Sequence, residues 1–442
     1  MKQLMKILGI IGIILCISGL SMFGVGYAFG GSDYIATTDY ENYKKALHLT
    51  EQAEPEDTVN NKVSSDNTKT AKKNSNNVKT YKLKSKKLGS FSSISANLSY
   101  VDLVIQPSKD QNAYLSYELF CKNSKNPFSY SIKNGCLYLK ESNLQPCSLK
   151  EAVIKKNNIV FVGNKSVFFN NTNPIILYVP SKKSFKNSFF NMKDGDLHMN
   201  GLHCQTAKLN LKYGDTTIKK TSLDKASITT IDGDINMNNL TVSKTINIKT
   251  ENGDILASKM KVPGTLSLDT IDGDINASNL HVSGNVKIDT EDGDINVSSL
   301  SASGKVQITT IDGDINAPNL GISGDLQITV EDGDINMPNL HAYASGTIKI
   351  ESDYGDINAS RMYSLGKVQL DSNGGDILLQ INKQCINRMS ITLDVMDGNM
   401  SIGKSLHGSK KRRGDGWSYT KKAAKGKASL KVRTREGDIS AQ

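Results

Sequence analysis

Aromatic residues make up only 6% of this 442-residue chain, with a single tryptophan. That is too few for a large conventional core. Hydrophobic residues of all kinds reach 38%, also below the ordinary globular share. Proline is rare, at nine residues, whereas glycine is frequent, at 36. There are six cysteines, and the five beyond Cys16 (Cys121, Cys136, Cys147, Cys204 and Cys385) show neither a CxxC pair nor metal-ligand spacing. Their reading is structural. Cys121 and Cys136 fall on neighbouring expected strands and could pair. Nucleophile elbows, phosphate loops and zinc motifs are missing too. His198, His203, His281 and His341 are scattered. Catalysis needs one distinctive constellation, so these absences argue against an enzyme.

Charge is present but segregated. Residues 1–189 carry 25 Lys and Arg against 13 Asp and Glu, residues 190–400 carry 17 against 28, and residues 401–442 carry 12 against 3. A basic start, an acidic middle and a basic end imply separate electrostatic roles.

Only one long apolar run exists. Residues 7–29 contain no charge, enough to cross a bilayer as a helix. Lys2 and Lys6 precede it, and Asp33, Asp39 and Glu41 follow. The positive-inside rule leaves residues 1–6 as a cytoplasmic tail and the rest extracellular, as a single-pass cell-membrane protein. A signal peptide cleaved near Ala28 is the alternative. Leu15 before Cys16 does not fit a lipobox. Residues 30–79 then read as a polar stalk.

Residues 80–190 form a β-rich opening region: ISANLSYVDLVIQP, AYLSYELF, CLYLKE and IILYVP alternate with period two. From residue 191 to 442 the chain is periodic. A GD step recurs at Gly195, Gly214, Gly233, Gly253, Gly273, Gly293, Gly313, Gly333, Gly355 and Gly375, mostly 19 to 20 residues apart. Ile235, Ile255, Ile275, Ile295, Ile315 and Ile335 follow two residues later, and Leu240, Met260, Leu280, Leu300, Leu320 and Leu340 seven later. DGD, an SN or PN step, and SG punctuate each repeat. Three strands and three corners per coil predict an all-β parallel β-helix, a solenoid whose equivalent residues stack about 4.8 Å apart. A β-sandwich or propeller is the rival, but a propeller blade needs about 40 residues.

Within DGDIN, Asp272, Asp274 and Asn276 alternate around Ile275, like positions 1, 3 and 5 of an EF-hand. Ala277 stands where that loop needs glycine. Glycine with φ > 0 and aspartate at a corner explain the motif as turn chemistry, and stacked Asn can form a ladder. Stacking nevertheless brings like charges close. Each contact costs about 1 kcal/mol or less in high dielectric. A candidate Ca²⁺ ladder follows: Asp272, Asp274, Asn276, Asp292, Asp294, Asp312 and Asp314.

The last repeat is interrupted at residues 406–427, read as an inserted basic loop. Lys410, Lys411, Arg412, Arg413, Lys421 and Lys422 with Trp417 form a candidate anion-binding patch. A solvated loop is the alternative. Nucleic acid is not the expected partner, given the export signal.

The apolar run ending in VGYAFGG, the FSSISANLSYVDLVIQPS strand pair, IILYVP and the GDI repeats resemble the bacterial putative-adhesin family of Gram-positive cell envelopes. That resemblance implies a membrane-tethered, extracytoplasmic, non-enzymatic β-solenoid without a cofactor. The expected function is a surface binding, adhesin-like or scaffold protein contacting an anionic envelope polymer or a protein. A cell-envelope stress sensor is the alternative, and a polysaccharide-active β-helix enzyme the third reading.

Overall fold

The computed structural model describes residues 79–121, 126–142, 174–342 and 346–442. The chain divides into two units, Met1–Lys73 and Asn74–Gln442, and the described residues all fall in the second. The expected membrane helix at residues 7–29 and the stalk lie outside the described residues. Among these, no helix is long and apolar enough to cross a membrane.

The second unit is the expected parallel solenoid. Ile235 pairs in register with Ile255, then Ile275, Ile295, Ile315, Ile335, Ile357 and Ile377. One coil shows how sequence becomes shape. Ile275 and Ala277 point inward, then Leu280 and Val282, then Val286 and Ile288, all buried. Alternation along each short strand sends their neighbours out. A single residue, Asn279, at φ 53°, makes the corner within the strand Ile275–Val282. Its column is Asn239, Lys259, Asn279, Ser299, Asn319, Asn339 and Arg361, all left-handed. Asparagine tolerates that region better than other side-chain-bearing residues.

The glycine corner differs from its sequence reading. Gly293 does have φ 152°, but close approach imposes the stronger constraint. A Cβ on Gly273 would lie 2.3 Å from the carbonyl oxygen of Gly253 in the coil below. Glycine is required because coils touch backbone to backbone there.

Stacking starts earlier than residue 191. The Ser93–Leu98 and Leu103–Pro107 strands pair in parallel with Ser184–Met192 and Leu197–Asn200, so the opening region supplies coils of its own. Both ends also break sequence order. At the N-terminal end, Cys136–Glu141 and Ile175–Val179 stack on the far side of the 93–107 coil. At the C-terminal end, Ala428–Glu436 lies between Lys367–Ser372 and Met389–Asp397, and Ile439 sits between Ile377 and Met400. The last strand in sequence is thus inserted beneath a layer that precedes it.

Each end is finished by antiparallel strands. Lys79–Lys87 and Tyr114–Cys121 pair with each other, and the latter with Ile175–Val179; Phe128–Lys133 closes on Cys136–Glu141. At the other end, Gly416–Lys421 and Ser409–Arg413 extend the sheet beyond Met389–Asp397. The segment read as a loop is therefore a β-hairpin. The suggested Cys121–Cys136 bridge does not form: those two strands do not pair, and Cys136 is a free thiol.

Candidate functional site

At the glycine corner, the second aspartate of each repeat has a single recurring task. The Asp274 backbone N–H donates to Oδ1 of Asp254 at 2.9 Å, and Asp294 N–H donates to Oδ1 of Asp274 at 2.9 Å. The chain of such bonds starts at Asp102, which accepts from Asp196. It runs upward through Asp314, Asp334, Asp356 and Asp376. It follows space, not sequence, at the top: Asp438 N–H donates to Asp376, and Asn399 N–H to Asp438.

The carbonyl at the same corner is served by a residue the sequence reading overlooked. The Thr290 hydroxyl donates to the Gly273 carbonyl at 3.1 Å, as Thr270 does to Gly253 and Thr310 to Gly293. These hydroxyls are buried, three residues before each glycine. The motif is thus T-x-x-G-D, and its side chains satisfy peptide groups that the tight corner turns away from one another. Charge-assisted acceptance of an N–H is among the stronger hydrogen bonds.

This arrangement bears on the candidate Ca²⁺ ladder. One oxygen each of Asp274, Asp294 and Asp314 is already committed to backbone. Asp272, Asp292 and Asp312 form a separate exposed column, bridged through backbone. Asn276 lies outward on the adjoining strand; further along the same column, two and three coils away, Asn336 donates to Asn316. Among the described residues, no group of three or more His, Cys, Asp or Glu could hold a metal ion. The second-aspartate column supports the backbone of the adjoining coil.

The basic hairpin sorts its cations by face. Lys410 pairs with Tyr419, and Arg412 with Trp417; these in turn oppose buried Leu393 and Val395. Lys410 Nζ lies 4.0 Å from the Trp417 ring centre and donates to the Met400 carbonyl. Arg412 also lies over Trp417 and donates to Gly414 O at 3.3 Å. Lys421 Nζ donates to the carbonyls of Ile386 and Met389, and burial lowers its pKa. Lys410, Arg412 and Lys421 therefore anchor the hairpin.

Lys411 and Arg413 face outward and are exposed, as is Lys422. Lys411 continues the row Arg433, Asp394, Ser418 across four strands. Lys431, Arg433 and Arg435 alternate with buried Leu430, Val432 and Thr434. They share this outward face but escaped the sequence reading, although the K-V-R-T-R alternation signals it. Two rows of cations result, about 14 Å apart at the usual strand spacing.

Models of the Toastrack DUF4097 family match residues 91–320, 243–361 and 302–442. The chain belongs to the Toastrack DUF4097 family. No curated protein matches it. Among solved structures, a putative adhesin from Bacteroides fragilis matches at 18% identity and TM-score 0.26, covering 62% of this chain and 98% of its own. A putative cell adhesion protein from Clostridium sporogenes matches at 11% identity and TM-score 0.15, covering 83% of this chain and 99% of its own. The first family match begins at residue 91, beside the first stacked coil, which the Toastrack chain forms from Ser93 onward.

Proposed function

We propose that this protein is a non-enzymatic surface binding or scaffold module that holds anionic envelope polymers against its basic end. The uncharged 7–29 run supports display outside a membrane. The observation that carries the reading is the outward double row of Lys411 and Arg413 with Lys431, Arg433 and Arg435 on one sheet face. Two parallel rows of cations, with Asp394 on the strand between them, suit an extended polyanion better than a small ligand. Non-enzymatic function is supported by the fate of the acids, whose second column repeats one structural hydrogen bond. Burial also raises the pKa of the Cys204 and Cys385 thiols, which disfavours the nucleophilic thiolate.

The test is retention of the protein on immobilised poly(glycerol phosphate). Wild type is expected to bind and to elute as salt screens the contacts. A variant with Lys411, Arg413, Lys431, Arg433 and Arg435 all changed to Gln is expected to flow through. Equal retention of both would overturn the proposal.

A further inference from the structure

The same end of the solenoid carries a groove, floored in part by Ile381 and Ile386 and rimmed by polar side chains, that the sequence gives no hint of. His341 and Ala342 stack on Tyr363 and Ser364 in the second face of the coil. The next layer does not continue that face. After Ile381, paired with Met362, the chain turns through the short helix Lys383–Ile386. The interrupted face leaves a groove of about 690 Å³, within the range of ligand-binding clefts, roughly 300–1,000 Å³.

Its lining contains Arg361, Lys383 and His341, the amides of Asn339, Gln380 and Gln384, and no Asp or Glu. Arg361 occupies the left-handed corner at φ 54°, in a column where asparagine is commonest. Long cations also stand at this corner in Lys220 and Lys259, but Arg361 is the one that lines the groove. Its Nη1 lies 3.4 Å from Oδ1 of Asn339, which itself donates to Asn319. The asparagine ladder thus ends in a guanidinium at the groove. His341 stacks on Tyr363 with ring centres 5.9 Å apart, giving the groove an aromatic flank. Amides match hydroxyl groups, and an arginine fork matches phosphate or carboxylate.

We propose that this groove is a subsite for an anionic polyhydroxylated chain. Arg361 and Lys383 take its charged group, and Asn339, Gln380 and Gln384 take its hydroxyls. This deepens the polymer-binding reading and rests on it: the outer rows gather the polymer, and the groove reads one unit of it.

Calorimetry on the full chain tests the subsite with three short probes: a glycerol-phosphate tetramer, a galacturonate trimer and neutral maltotriose. Binding of one or both anionic probes, and not of maltotriose, is expected; which one binds identifies phosphate or carboxylate as the source. Arg361→Asn keeps a residue the corner accommodates, and Arg361→Asn with Lys383→Gln should weaken binding about ten-fold or more at unchanged melting temperature. The five-fold Gln variant of the outer rows should bind the short probe as wild type does. Indifference to charge, no binding of any probe, or unchanged affinity in the Arg361/Lys383 variant would overturn the subsite. If short probes bind normally while wild type and the outer-row variant are retained alike on polymer, the outer rows fail and the groove stands.

Discussion

At the scale of single residues, Asp274 separates a structural carboxylate from a metal-binding one. Asp274→Ala leaves the Asp294 N–H without its acceptor, and a cost of about 1–3 kcal/mol is expected in denaturant unfolding. Asp274→Asn keeps an Oδ1 acceptor and removes a like charge from the stack, so it should be nearly neutral. A metal ladder would suffer from both changes, and chelation by EDTA would lower the melting temperature; here EDTA is expected to leave it unchanged. Val330 offers the converse case. It occupies the threonine column, where a hydroxyl would reach the Gly313 carbonyl, and Val330→Thr should keep or raise stability. The pattern is visible in sequence as a threonine three residues before glycine, but the hydrogen bond joins residues 17 apart. Only the stacked coils reveal it. Asp102, the lowest rung, is less exposed. Burial pushes its carboxyl up to about 6, against the opposing pull of the Asp196 N–H. The folded state therefore binds a proton that the unfolded chain releases near pH 3.8. This group's contribution falls as pH rises from about 4 to about 6. Asp102→Asn should flatten that part of the stability–pH curve without breaking the rung.

Among the elements, the C-terminal hairpin matters for what it covers. The Met389–Asp397 strand would present an unpaired edge without Gly416–Lys421. Ser409–Arg413 then becomes the new edge, and all five of its residues are exposed. Lysine and arginine on an edge discourage pairing with another chain. Changing Lys411 and Arg413 to Val should shift the protein toward larger species than wild type on size-exclusion chromatography. The cationic character of this segment was legible in the sequence; its strand was not. SKKRR has no apolar alternation, because the positions aligned with Tyr419 and Trp417 are Lys410 and Arg412, which stay exposed and meet the Trp417 ring through their charged ends. The regular coils are the opposite case. Ile275 and its column announce both the strand and its inward face, because period-two alternation and the 20-residue repeat agree.

Across the whole described unit, local pattern fixes what a coil is but not where it sits. Gly398 and Gly437 carry the same corner signal, and nothing near either says that Asp438 will lie between Asp376 and Asn399. That order comes from the hairpin, which carries the chain past one layer and back. Ending the chain at residue 427 should consequently cost more than its last 15 residues: Met389–Asp397 loses the parallel partner beneath it, and limited proteolysis should then cleave from about residue 383 onward. Removing residues 275–294, one complete coil, should by contrast leave a folded protein with a similar melting temperature, since Asp274 still donates to Asp254 and its own Oδ1 can accept the Asp314 N–H in place of that of Asp294. The two ends are thus individually tailored, whereas the coils between them are interchangeable. Unequal recombination can add or drop 20-residue units there, changing reach by about 4.8 Å per unit while leaving the basic end intact. Natural variants should differ in length by multiples of 20 within residues 235–342 and hardly anywhere else, so that the length of the stack can change without any change at its ends.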